Sequence, residues 1–443
     1  MRRIIFLVCA LIAPSKIARA DDDRAQVDSP PNADPGQLPY ATPRETLIPG
    51  TPGMPGGFHF MLNGFAQLQN TGLGTHHIAN QGVHDWNGGA TYPLLTDDWA
   101  MGYYRDRQGT FEALLMLNFE PFTVGSAGVP ELGQSGEGLW DAQHSHQLVH
   151  QAMIAVHPLA SMDEWHPRGM MSEGRFDLSL FGGQGSATIG PPIFMHRASS
   201  PGPTVPRKHH KGENPHETFP VLGAALRVDD TWIEASAFSA KELTPEDSRF
   251  YPHVAAPVSF AARVRHTFSH VLEVQVSGER LRNQGNGEPD ASQLSASAYG
   301  WGNIGGFRID GLLDWAVDTD DRLASGQKNA AQAVLLELAV RSPNKREIFW
   351  HRSEFNQREE PEDRGGGVST PWFFETFGFE RVIAGGRTSG LQVGVFGEAT
   401  YVRIPPSLQS FYGTDSAVTA NIGLHFFGMW TLGDDLKPMH HMM

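Results

Sequence analysis

The feature that most limits the fold of this chain is a series of segments of about ten residues in which apolar and polar side chains alternate. In the clearest segment, residues 258–268, one side is mainly apolar and the other carries Arg263, Arg265 and Thr267. After a short step at Ser269-His270 the next run alternates again. Successive side chains of a strand point to opposite faces, so each segment predicts a strand with one apolar and one polar face. Strands of about 9–11 residues with this pattern can cross a bilayer as part of a closed barrel.

Comparable runs give about sixteen candidate strands along the chain. They lie near 59–69, 98–105, 110–120, 147–157, 175–185, 219–228, 231–239, 258–268, 272–279, 293–301, 307–317, 334–341, 346–355, 372–383, 391–401 and 417–430. We expect some of them to be false, and barrels of this kind favour even strand numbers. The prediction is an all-β fold: an antiparallel up-and-down transmembrane β-barrel of about 14 strands, with 12 or 16 as alternatives. Interfacial aromatic girdles are predicted from Trp99, Tyr103, Tyr104, Trp301, Trp315, Trp350, Trp372 and Trp430.

Composition narrows the class of protein. The chain has 443 residues, of which 40% are hydrophobic, and its mean hydropathy of −0.32 excludes a helical membrane protein. A barrel remains, because its lumen and loops are polar. The formal net charge of −15 argues against nucleic acid as a partner, since phosphate binding needs a basic surface. Because the alternating pattern predicts a barrel, we expect outer-membrane lipid to surround it. Metal ions or small solutes are further candidate partners.

The two ends of the chain differ in composition from its centre. Residues 1–20 have the form of a secretory signal peptide, with Arg2 and Arg3 before a short apolar core and Ala18-Arg19-Ala20 as the cleavage site. Residues 21–56 are a Pro-rich periplasmic linker that we predict to be disordered. The barrel is predicted over 57–430, followed by a His/Met-rich tail over 431–443. The only cysteine, Cys9, lies in the signal, so the mature chain would contain no disulfide and no thiolate site.

Four segments resemble an uncharacterised family of Gram-negative outer-membrane β-barrels. They are Asp97–Gly102, Leu117–Thr123, Asp141–His146 and Ile189–Ala198. The similarity extends over roughly residues 57–430, with Ser145 and Gln147 standing where the family pattern has proline and aspartate. Members are often associated with copper-handling systems. The resemblance therefore implies a barrel in the outer membrane and a metal-related role.

Histidine and methionine clusters offer candidate metal ligands. His144, His146 and His150 point to one face if their segment is a strand, and imidazoles in this arrangement can bind copper or zinc. The pair Met195-His196 joins a thioether to an imidazole, a combination that suits Cu(I). Further candidates are His209 and His210 in the Pro-rich loop over 187–217 and His440 and His441 in the tail. The alternative for all of them is a structural role in the lumen, the loop or the tail.

Charged residues of both signs are predicted on the polar face of the strands, where they would pair across neighbouring strands and line the lumen. They are Arg263, Arg265, Glu273, Arg308, Asp310, Asp314, Glu337, Arg341 and Glu347. Enzyme motifs such as HExxH, GxSxG or a P-loop are absent from the sequence, so we predict a non-catalytic protein. No cofactor is assigned, and copper is the one candidate. The leading hypothesis is transition-metal handling or resistance, most plausibly for copper. The alternatives are a passive small-solute porin without a metal role and a soluble periplasmic β-sandwich that binds a ligand.

Overall fold

The chain forms one sheet that closes on itself. A computed structural model describes residues 57–73, 91–106, 110–123, 129–130, 140–141, 148–158, 176–185, 187–191, 218–240, 256–268, 271–282, 290–320, 329–359, 369–385 and 390–432. The predicted signal peptide, the linker and the tail after Leu432 lie outside these residues. Closure leaves no strand edge facing lipid, which a membrane-spanning sheet requires because lipid cannot hydrogen-bond to the backbone. The soluble β-sandwich alternative is therefore wrong.

Eighteen strands are present in the described part of the chain, sixteen of them in the barrel. The strands are β1 (Gly57–Leu73), β2 (Thr91–Arg105), β3 (Phe111–Asn118), β4 (Val129–Pro130), β5 (Trp140–Asp141), β6 (Val149–Val156), β7 (Phe176–Gly185), β8 (Thr218–Val228), β9 (Thr231–Phe238), β10 (Ser259–Phe268), β11 (Leu272–Leu281), β12 (Ala291–Ile304), β13 (Phe307–Asp320), β14 (Asn329–Arg341), β15 (Glu347–Glu359), β16 (Ser369–Gly385), β17 (Leu391–Arg403) and β18 (Ser416–Leu432).

The barrel has 16 strands, so the prediction of about 14 is wrong. Every one of the candidate runs coincides with a barrel strand, and the error came from discounting the less regular ones. Consecutive barrel strands pair antiparallel around the ring, with β3 pairing β6 and the small β4–β5 sheet lying apart. The ring closes between β1 and β18, which pair from Phe58↔Leu432 to Leu73↔Val418.

Alternation assigns each side chain to the lipid or the lumen as predicted. On β10 the outward side chains Phe260 and Val264 are 56% and 49% exposed, whereas the inward Arg263 and Arg265 are buried. The aromatic girdle prediction is partly wrong. Tyr104 and Trp315 face outward and are exposed, but several of the others occupy inward positions because of their parity in the strand. The buried, inward ones are Trp99, Tyr103, Trp350 and Trp372.

Several connections at one end of the barrel are tight turns. Asp229-Asp230 joins β8 to β9, and Gly305-Gly306 joins β12 to β13. Asp229, Gly305 and Gly306 all have positive φ, as tight hairpin turns require. Barrels of this class place short turns on the periplasmic side and longer loops outside. The opposite, extracellular end of the barrel is therefore the one at which β8, β10 and β18 begin.

Short helices occur next to two strands. The helix α1 (Glu120–Thr123) follows β3, and a 3-10 turn (Pro406–Leu408) leads into α2 (Gln409–Tyr412) before β18. Leu408 and Tyr412 are buried against Trp372 and Phe374, so this loop covers part of the extracellular mouth. None of the helices in the described ranges is both long and apolar enough to span a membrane.

Candidate functional site

The inward face of the barrel is rich in charged side chains that are shielded from solvent. Among the described residues, ten carboxylates and four guanidinium groups are buried there. The lumen therefore has an excess of acidic groups. The acidic residues are Glu112, Glu234, Glu273, Glu279, Asp310, Asp314, Glu337, Glu354, Glu380 and Glu398, and the basic ones are Arg263, Arg265, Arg341 and Arg352.

One wall of the lumen holds a compact group of two arginines and two glutamates. Arg263 donates two hydrogen bonds to Glu234, from Nε to Oε2 at 2.7 Å and from Nη2 to Oε1 at 2.9 Å. Arg265 donates from Nε to the same Oε2 at 3.2 Å and from Nη1 to Glu273 Oε2 at 3.4 Å. The guanidinium of Arg265 also lies 4.6 Å from the ring centroid of Trp232, within range of a cation–π contact. This wall is thereby ordered by paired charges.

A piece of the β7–β8 loop folds into the lumen against that wall. This segment, Ala187–Pro191, is buried, and we name it the lumen segment. The amide of Thr188 donates to Ser236 Oγ at 3.0 Å, and the amide of Gly190 donates to Ser277 Oγ at 2.9 Å. Arg263 Nη1 donates to the carbonyl of Gly190 at 3.1 Å. Three consecutive strands, β9 to β11, therefore hold the segment in place.

The lumen segment also has apolar contacts. Ala187 and Ile189 belong to one cluster of buried side chains that includes Trp232, Phe238 and Met153. Gly190 has a φ of +69°, a backbone conformation that glycine adopts without strain. The last three residues of the lumen segment, Ile189–Pro191, begin the segment Ile189–Ala198 that resembles the outer-membrane family. The prediction that this loop lies outside or folds into the barrel mouth agrees with the described residues 187–191.

The wall formed by β14 to β18 contains a second group of polar and charged side chains, some of which are in contact across β16. Trp350 Nε1 donates to Glu398 Oε2 at 2.8 Å, although β16 separates their strands. Gly378 lies between them, paired with Trp350 on one side and Glu398 on the other. A Cβ at this glycine would collide with the Trp350 indole, so only the missing side chain lets the indole reach the carboxylate.

Arginine and glutamate continue along the same wall on β14 and β15. Arg352 donates from Nη2 to Glu354 Oε2 at 2.9 Å, and its Nη1 lies 3.4 Å from Glu337 Oε1. All three side chains are buried. The local group carries one positive and two negative formal charges, and it contributes to the acidic excess.

A histidine joins the group near the seam of the barrel. His425 Nδ1 lies 3.0 Å from Glu380 Oε1, and its Nε2 lies 2.9 Å from Asn63 Oδ1. The imidazole stacks on Phe65, with ring centroids 4.2 Å apart and planes 9° apart. Gly394 lies between the strands of Glu380 and His425, so an inward glycine again lets side chains two strands apart meet.

The predicted metal ligands fall mostly outside the described residues. His144, His146, Met195, His196, His209, His210, His440 and His441 all do so. His150 lies on β6, half-buried. Within the ranges that the structure describes, no group of three or more His, Cys, Asp or Glu side chains is placed to hold a metal ion. The metal hypothesis therefore stays a prediction.

The predicted lumen charges are largely confirmed, and several residues of the site were missed. Glu347 differs from the prediction, because it accepts a hydrogen bond from Ser342 at the periplasmic turn. The signal for the missed residues was the alternation itself, since each occupies a polar position in a strand with an apolar outward face. The missed residues are Glu234, Trp350, Arg352, Glu354, Glu380, Glu398 and His425.

The chain resembles known proteins in structure but not in sequence. No protein-family model and no curated protein sequence matches the chain. The high-pH structure of OprB from Pseudomonas putida superposes with a TM-score of 0.50 at 10% identity, covering 84% of this chain and 94% of that chain. The outer-membrane channel DcaP of Acinetobacter baumannii gives 0.47 at 8% identity, covering 84% and 96%. An anion-selective porin from Comamonas acidovorans gives 0.46 at 8% identity, covering 84% and 98%.

At this level of identity the likeness to OprB concerns the fold alone. In this chain the fold is a closed ring of 16 strands with an apolar outward face and a charged inward face. The protein is an outer-membrane β-barrel with a porin-like fold.

Proposed function

We propose that the protein is a narrow outer-membrane pore that passes small solutes passively and prefers cations. The observation that carries this proposal is the excess of ten buried carboxylates over four guanidinium groups on the described inward face. Carboxylates that line a pore with low-dielectric walls attract cations and repel anions, and rings of Asp and Glu are the usual means of cation selection.

The pore is narrow in this proposal because the lumen segment and its apolar contacts occupy part of the interior. Barrels of 16–18 strands have room for an aqueous channel, so the strand number alone permits solute passage. The segment reduces that room on the side of β9 to β11. We therefore expect ions and small polar molecules to pass, and larger solutes to be excluded.

The experiment is a measurement of the reversal potential of the purified barrel in planar bilayers under a tenfold KCl gradient. We expect a steady current and a permeability for K⁺ at least threefold higher than that for Cl⁻. A preference for Cl⁻, or bilayers that stay silent although the protein shows the heat-dependent gel shift of a folded barrel, contradicts the proposal.

The copper hypothesis is a separate proposal that rests on the sequence. His150 is the only one of its nine residues within the described ranges. A copper role would be compatible with the same barrel, since a cation-preferring lumen admits metal ions. Its test is a binding measurement rather than a conductance measurement.

A further inference from the structure

Three polar side chains form a hydrogen-bonded group on the lipid-facing side of the barrel. His351 Nε2 lies 2.6 Å from Glu375 Oε1, and Ser353 Oγ donates to the same carboxylate oxygen at 2.9 Å. Their outward direction follows from the strand alternation, since Phe349 and Phe355 on the same face of β15 are exposed. About a quarter of the His351 and Glu375 side chains remains exposed, towards lipid.

The geometry of this group argues against hydrolysis. In a serine hydrolase the nucleophile and the acid contact different nitrogens of the histidine ring. Here Ser353 Oγ lies 3.2 Å from His351 Nε2, the same atom that contacts Glu375. No proton relay through the ring can form. The group instead exposes polar atoms within an apolar band, which is costly. A covering protein surface that brings a hydrogen-bonding side chain to the group would reduce this cost.

The shape of the neighbouring wall indicates what could cover it. The outward positions of β16 carry Phe377 and Phe379, which are 59% and 36% exposed. Their register partners on β17 are Ala399 and Gly397. Large side chains on one strand therefore stand directly beside small ones on the next, and form a ridge on β16 and a groove on β17.

We propose that the lipid-facing surface of β15 to β17 is the interface of a homodimer with its two-fold axis along the membrane normal. Copies of one barrel share the same orientation in the outer membrane, so a two-fold axis between them must run along the normal. An axis between β16 and β17 places the ridge of each copy over the groove of the other. Phe377 of one copy then packs over Ala399 of the second copy.

The same axis accounts for the polar group. Tyr401 is the register partner of Glu375 across β16 and β17 and is 45% exposed. Register partners in a tilted strand pair differ in depth by about 3 Å. The two-fold axis therefore brings the Tyr401 hydroxyl of one copy to the level of the Glu375 group of the other. The patch is self-complementary in both shape and hydrogen-bonding capacity, as a two-fold interface must be.

A cysteine cross-linking experiment tests this placement in native outer membranes. The only cysteine of the chain is Cys9, within the predicted signal peptide, so a single introduced thiol is informative. Ala399→Cys is expected to give a dimer band with a short bismaleimide. The matched control is Leu222→Cys at an exposed position on β8, which lies seven strands from β17 by the shorter way round the ring. We expect it to give at least tenfold less dimer.

A second pair of variants tests the groove itself, with the mass of the detergent-solubilised protein as the readout. Ala399→Trp fills the groove and is expected to lower the dimer fraction at least tenfold, whereas Ala262→Trp on the exposed outer face of β10 leaves it unchanged. The heat-dependent gel shift verifies that each variant folds. A wild-type monomer, cross-linked trimers, equal cross-linking of Leu222→Cys, or a dimer insensitive to Ala399→Trp would each overturn the proposal.

Discussion

Arg263 and Glu234 are direct register partners across β9 and β10, and the guanidinium of one donates two hydrogen bonds to the carboxylate of the other. The same carboxylate also accepts a hydrogen bond from Arg265. A single side chain on β9 thus contacts two neighbouring cations on β10, and Glu273 supplies the second negative charge to Arg265. Because Arg263 also holds the carbonyl of Gly190, this pair links the barrel wall to the lumen segment.

Replacing Glu234 by glutamine should destabilise the barrel. The amide keeps the shape of the side chain but leaves two buried guanidinium groups close together without their shared counter-charge. Breaking a buried ion pair typically costs about 3 kcal/mol, and we expect a loss of that size in the free energy of unfolding. Urea titration of the protein in lipid vesicles measures it.

The control for this prediction is Arg381→Gln, which removes a charge from an exposed rim position 3.8 Å from Glu347. Exposed pairs contribute little, so its unfolding free energy should change by less than about 0.5 kcal/mol. If both substitutions lower the free energy of unfolding equally, the buried pair contributes no more to stability than the exposed one.

Weakening the anchor of the lumen segment should change the current. Ser277→Ala removes the oxygen that accepts the Gly190 amide, a contact worth about 1 kcal/mol. We expect a higher and noisier single-channel current as the segment moves more freely. Ser295→Ala is the matched control, because this lumen serine donates to Asp314 instead. Traces identical to wild type in Ser277→Ala would mean that the segment does not limit conduction.

The architecture could be predicted from the sequence because alternation is a local property. The regular runs that became β3, β10, β11, β13, β14, β17 and β18 show their lipid face directly, and all sixteen candidate runs are strands. The number of strands was underestimated because β2, β6 and β7 contain glycine, polar or irregular positions, and β1, β3 and β7 have register shifts with their neighbours. Such shifts interrupt the two-residue period on which the prediction depends.

The contacts within the lumen could not be predicted in the same way. The sequence identifies Arg263 as an inward residue, but its pairing with Glu234 depends on the register between strands. The meeting of Trp350 with Glu398 depends on a glycine in the intervening strand, and these residues are separated by 48 positions. The docking of Gly190 likewise depends on the path of a long loop. The sequence of one strand shows which of its side chains face the lumen. The contacts of those side chains depend on how all the strands are arranged in the ring.

The copper hypothesis predicts a specific loss of binding. Changing His144, His146 and His150 together to alanine should lower the affinity for Cu²⁺ at least tenfold, because imidazoles are the expected ligands. Calorimetry on the refolded barrel gives the affinity, and a parallel variant with alanine at His440 and His441 separates the tail. If both variants bind copper as wild type does, these histidines are not the site.

Neutralising acids in the lumen should lower the preference for cations. The group of Glu337, Arg352 and Glu354 has a formal charge of −1, from two carboxylates and one guanidinium. Glu337→Gln with Glu354→Gln changes it to +1, so the K⁺ to Cl⁻ permeability ratio should fall at least twofold. Glu375→Gln is the control, since it removes a carboxylate on the lipid side of β16. If the permeability ratio falls in Glu375→Gln but not in the lumen double variant, the lumen carboxylates are not the origin of the selectivity.

Gly378 is predicted to be intolerant of any side chain. Alanine there would place a methyl group inside the Trp350 indole, so the indole must move and lose its hydrogen bond to Glu398. Overpacking of this kind costs about 1–3 kcal/mol, to which the unpaired carboxylate adds. Gly311→Ala on the outer face of β13 is the matched control, because its nearest neighbours lie at 3.8 and 3.9 Å. Tryptophan fluorescence and the temperature of the gel shift report the outcome. We expect Gly378→Ala to change the fluorescence and to lower the temperature of the gel shift, and Gly311→Ala to change neither. If Gly378→Ala behaves as the wild type does, the contact between Trp350 and Glu398 does not depend on the missing side chain.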